Sequence, residues 1–150
     1  MTDLQNLYQQ SILNHYRKPR NFRKPEHANR QAEGHNPFCG DKISVFLQIE
    51  NGIIREIGFL GEGCAISISS ASMMTECLKG KSEGEANVLI ERFCRLLTNR
   101  SENLQEETSL GSLSIFSSVR GYPVRVKCAT LPWHAMQAAL RGLQKTVATE

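Results

Sequence analysis

A chain of 150 residues, 40% of them hydrophobic, is long enough to bury one core without disulfide staples, so a single domain over 1–150 is expected. Its net charge of +3 is too small to hold nucleic acid by phosphate neutralisation. No apolar run is long enough to span a bilayer, and Met1 leads into a polar stretch without the apolar centre of a signal peptide. The expected protein is therefore cytoplasmic, with neither nucleic acid nor membrane as partner.

In chain order, Leu4, Leu7, Tyr8, Ile12 and Tyr16 recur at helical spacing and predict an amphipathic helix that stops before Pro19. Arg17, Lys18, Arg20, Arg23 and Lys24 follow, interleaved with Pro19, Phe22 and Pro25. They read either as a solvated linker or as a docking patch for an acidic partner. Ile43, Val45, Leu47 and Ile49 alternate with polar residues, Phe46 excepted, and Asn51-Gly52 supplies a tight turn before a second strand from Ile53 to about Leu60. A helix rich in small residues is expected over 65–78, and Ser82 with Glu85 reads as the capping box of the next, whose face holds Val88, Leu89, Phe93, Leu96 and Leu97. A polar surface insertion is expected over about 98–112, then a short apolar segment over 113–119. Beyond Cys128, Leu131, Met136, Leu140 and Leu143 predict a last helix, with Pro132 in its first turn and Trp133 near its start. The class expected is α+β, a small antiparallel sheet with helices on one face.

Chemistry concentrates in three cysteine segments. Asn36-Pro37-Phe38-Cys39-Gly40-Asp41 sets a thiol and a carboxylate two residues apart, where both can reach one metal ion. Cys64 in Gly61-Glu62-Gly63-Cys64-Ala65 and Cys128 in Arg125-Val126-Lys127-Cys128-Ala129 would complete a tetrahedral set with Cys39 and Asp41. Cys39 and Asp41 enter one strand, and Cys64 leaves its antiparallel neighbour, so a hairpin joins them. Both Cys64 and Cys128 are expected at helix N-termini, where the helix dipole favours an anionic thiolate. Cys77 and Cys94 fall inside helices without flanking ligands and read as small buried thiols. His15, His27, His35 and His134 require no metal role. Arg125 reads as a strand residue, either solvated or paired with a partner's anion.

These three segments, with Asn14-His15-Tyr16-Arg17-Lys18-Pro19-Arg20-Asn21, resemble the IscU/NifU-type iron–sulfur assembly proteins over nearly the whole chain. The resemblance implies a compact domain with a solvent-accessible metal site at its sheet edge. Two departures resemble the SufU branch: Lys127 stands where scaffolds usually carry a histidine, and the chain has the polar insertion. A protonated lysine offers no lone pair to a metal. The chaperone-recognition segment of the scaffolds is replaced by Tyr122-Pro123-Val124-Arg125-Val126-Lys127.

What the SufU resemblance implies is a zinc site of Cys39, Asp41, Cys64 and Cys128 that serves a SufS-type cysteine desulfurase. A desulfurase histidine would replace one thiolate on the metal, and the released Cys39 would take the sulfur for downstream iron–sulfur assembly proteins. Cys128 is the alternative acceptor. The other readings are a scaffold for a transient [2Fe–2S] cluster on the same residues, and a structural zinc module.

Overall fold

The alternation read from Ile43 to Ile49 builds the central strand of the sheet in the computed structural model, which describes residues 3–37, 40–98, 111–142 and 146–148. The elements are α1 (Asp3–Arg17), β1 (Arg30–Asn36), β2 (Asp41–Glu50), β3 (Ile53–Glu62), α2 (Ala65–Leu78), α3 (Glu83–Thr98), a 3-10 helix (Gly111–Val119), α4 (Pro123–Leu140) and β4 (Thr146–Ala148). The sheet order is β3-β2-β1-β4, with the first three strands antiparallel and β4 added parallel to β1. Two strands, β1 and β4, were not predicted. Most of the expected insertion falls on 99–110, outside the described residues.

Asn51 and Gly52 close the β2–β3 hairpin with φ of 54° and 74°, the left-handed pair that a two-residue turn demands. On one sheet face Ile43, Val45, Leu47, Ile57 and Phe59 are buried completely. α4 lies across β1 and β2, while α2 packs on β3, α4 and α1. Gly34 permits the close approach of α4, since a Cβ there would stand 3.0 Å from Leu131 Cδ1 and 3.3 Å from Ala135 Cβ.

The serines of α2 tie the layers together. Ser70 Oγ accepts the Trp133 Nε1–H at 2.9 Å and donates to the Ala129 carbonyl at 2.6 Å. Trp133 in turn stacks on Phe93 of α3, with ring centroids 4.2 Å apart. Ser72 Oγ accepts the Arg20 backbone N–H at 2.8 Å and lies 2.7 Å from His15 Nδ1, which seats the end of α1 on α2. The α3 capping box is present: Glu85 N–H donates to Ser82 Oγ and Ser82 N–H to Glu85 Oε1. Its buried stripe is Ala86, Ile90, Phe93, Leu96 and Leu97, whereas Val88 is exposed, contrary to expectation. Among the described residues no helix is long and apolar enough to cross a membrane.

The last helix corrects the sequence reading most. It starts at Pro123, which takes the first-turn position assigned to Pro132, and Pro132 lies inside it. A proline within a helix lacks the N–H that would bond four residues back, to the Cys128 carbonyl. The burial of Leu131, Pro132 and Trp133 keeps the helix continuous at that point. Arg125 accordingly belongs to the first turn of a helix, with its guanidinium 5.0 Å above the Tyr122 ring, rather than to a strand.

Candidate metal centre

The β2–β3 hairpin places its open end beside the start of α2, with Lys42 paired to Glu62. Asp41, the first residue of β2, shares the buried face of Ile43 and Val45 and is 2% exposed. A buried carboxylate is costly unless its oxygens find donors. Asp41 Oδ1 accepts the Cys64 backbone N–H at 3.0 Å, and Oδ2 lies 3.6 Å from Cys64 Sγ. Cys64 is the N-cap of α2, and its sulfur accepts the Ser67 N–H at 3.5 Å. That position is as predicted. The cap points a solvent-accessible thiol into the angle between sheet and helix.

Cys128 arrives from the opposite side. It lies in the second turn of α4, 3% exposed, and not at the helix N-terminus where the sequence reading put it. Asn36 ends β1 opposite Asp41 in the ladder and is fully buried, and its Nδ2–H points to Cys128 Sγ at 3.8 Å. The sequence reading quoted Asn36 in its motif and gave it no role. Its only local signal was an amide-bearing residue before proline, which also suits an ordinary turn.

One donor atom each from Asp41, Cys64 and Cys128 lie within 4.8 Å of one another, and among the described residues no other cluster of three His, Cys, Asp or Glu forms such a group. Sulfur ligands at 2.3 Å from zinc sit about 3.8 Å apart at the corners of a tetrahedron, so the set needs only a small contraction. Two soft thiols and one carboxylate fit zinc or iron, and leave room for a fourth donor. Cys39 lies outside the described residues, and covalent geometry keeps its Cα within about 7 Å of the Cα of Asp41. None of the four histidines joins the cluster. Cys77 and Cys94 are half-buried against the core, away from it. Burial pushes the Cys94 thiol up to about 11 and, with help from Glu76, also raises that of Cys77.

Comparison with known proteins gives the same outline. The family described as the NifU-like N-terminal domain matches residues 7–145. The chain belongs to that family. The zinc-dependent sulfurtransferase SufU of Bacillus subtilis (strain 168) is 35% identical over 135 residues, which is 90% of either chain. The iron–sulfur cluster assembly scaffold protein IscU of Thermotoga maritima is 36% identical over 140 residues, covering 93% of this chain and 96% of that one. A crystal structure from Fervidobacterium islandicum AW-1, described as a candidate iron–sulfur cluster assembly scaffold for the SUF system, superposes with a TM-score of 0.80. It is 32% identical over 87% of this chain and 93% of its own. In this NifU-like domain, Lys127 stands half-buried directly before Cys128.

Proposed function

We propose that this NifU-like domain is a zinc-dependent sulfur acceptor in iron–sulfur cluster assembly, loaded by a SufS-type cysteine desulfurase and serving downstream assembly proteins. The observation that carries this reading is the convergence of Asp41, Cys64 and Cys128, a carboxylate among thiols, with Lys127 beside Cys128 where a further nitrogen ligand would otherwise stand. The similarity to a zinc-dependent sulfurtransferase over 90% of both chains supports it. Cys39 would be the fourth ligand.

Zinc held by Cys39, Asp41, Cys64 and Cys128 would keep the thiols deprotonated near neutral pH and undergo no redox step itself. The sulfur step is an exchange. The Cys39 thiolate attacks the outer sulfur of the desulfurase persulfide, that S–S bond breaks, and its electron pair leaves on the desulfurase cysteine. The new persulfide resides on Cys39. Cys64, Cys128 and Asp41 would retain the metal, the two thiols seated by the Ser67 and Asn36 N–H groups and Asp41, a hard donor among soft ones, the weakest held of the three.

A second reading, a scaffold on which a [2Fe–2S] cluster forms, is favoured by the equally similar IscU relative. A purely structural zinc module is disfavoured by the carboxylate, since structural zinc sites are mostly closed sets of Cys and His. Metal analysis and a desulfurase assay separate these. The sulfur-acceptor reading expects about one zinc per chain and faster desulfurase turnover. A stable, stoichiometric visible chromophore after anaerobic addition of iron and sulfide would favour the scaffold.

A further inference from the structure

Asn36 is a fully buried amide at the end of β1, on the sheet face that otherwise carries Ala32 and Gly34. A polar side chain in that setting costs free energy unless its donors are used. Its Nδ2–H is directed at Cys128 Sγ, 92 residues away in sequence. Its backbone carbonyl accepts the Gly40 N–H at 2.8 Å, and its strand partner is Asp41. One residue thus touches Cys128 through its side chain and Gly40 and Asp41 through its backbone.

Cys128 and Cys64 sit in different surroundings. An N–H donated to sulfur engages a lone pair and fixes the side-chain torsion, which steadies a ligand and blunts a thiolate already ionised on the metal. Cys64, by contrast, is solvent-accessible and receives its N–H from the first turn of its own helix. We propose that Asn36 is the positioning residue that keeps Cys128 a ligand and withholds it from sulfur acceptance, so that sulfur is directed to Cys39. This inference rests on the sulfur-acceptor reading, and Asn36 touches neither sulfur donor nor reacting atom.

The test is cysteine-by-cysteine alkylation of the folded, zinc-loaded protein with iodoacetamide, read by peptide mass spectrometry. Asn36→Leu is of similar size and removes the donating amide without adding a charge. It should raise the Cys128 labelling rate about five-fold, the worth of one ordinary hydrogen bond, and leave Cys64 unchanged. Asn36→Ala carries the same criterion should the leucine variant fail to fold. Unchanged Cys128 labelling in a folded variant overturns the proposal. Mapping of the 32 Da sulfur adduct after incubation with a cysteine desulfurase separates this failure from that of the underlying reading. Wild type with sulfur on Cys39, and the variant with sulfur also on Cys128, supports the role of Asn36. Wild type with sulfur on Cys128 refutes the Cys39 relay itself, whatever the alkylation rates.

Discussion

The carboxylate of Asp41 holds Cys64 at two points, taking its backbone N–H on Oδ1 at 3.0 Å and standing 3.6 Å from its sulfur on Oδ2. A single side chain therefore ties the start of β2 to the cap of α2 and places an anionic oxygen where a thiol and a metal would meet. The two jobs separate by chemistry. Only the metal-facing job needs a charge.

Asp41→Asn should keep the Oδ1 contact and the fold but lose the anionic donor. Zinc affinity should fall by about 10-fold or more, measured by competition against a chromophoric chelator. Unchanged affinity in a folded variant would remove Asp41 from the ligand set.

Gly63 faces the same carboxylate from the loop between β3 and α2. A Cβ at this position would run into Ser67 Oγ and stand 2.9 Å from Asp41 Oδ1. Gly63→Ala should cost about 1–3 kcal/mol in urea unfolding, the usual price of overpacking, and should weaken zinc binding as well. Full retention of both would mean that the loop relaxes freely.

The sequence carried the β2–β3 hairpin and the caps of α2 and α3 because these rest on local chemistry: an alternation broken only at Phe46, Asn51-Gly52, a cysteine cap and a Ser-Glu box. It hid β1, where the buried face is Ala32, Gly34 and Asn36 and no apolar alternation exists to be read. It misplaced the start of α4 because two prolines competed for one role, and burial of the stretch around Pro132 decided for Pro123. All four proposed ligands were read from motifs, and the three among the described residues, Asp41, Cys64 and Cys128, do converge. The Asn36–Cys128 contact was not legible, since no local pattern encodes a pairing across 92 residues.

Cys77 and Cys94 should behave as inert packing. Burial raises both thiols, that of Cys94 to about 11, so little thiolate is present at neutral pH. In the metal-free protein both should alkylate far more slowly than Cys64, and replacing the pair with alanine should leave zinc content unchanged. Loss of zinc on that replacement would contradict the assignment.

Stability should fall on mild acidification. Burial, with Arg20 nearby, pulls His15 below its ordinary 6.5 despite the opposing pull of Glu76, and burial lowers His134 as well. The unfolded chain then takes up protons at a higher pH than the native state. The contribution is fully present above 6.5 and disappears as pH falls through the lowered native values. Melting temperatures recorded between about pH 7.5 and 5 should drop in wild type, and His15→Gln should show a shallower decline. An identical decline in the variant would exclude His15 as a source.

The sulfur relay is tested most directly by locating the sulfur. Wild type and Cys39→Ala are each incubated with a cysteine desulfurase and cysteine, and the 32 Da adduct and the sulfide released are measured. Expected are an adduct on Cys39 in wild type and no stimulation of the desulfurase by Cys39→Ala. Stimulation by Cys39→Ala equal to that of wild type, with no adduct on Cys39 in wild type, would contradict it.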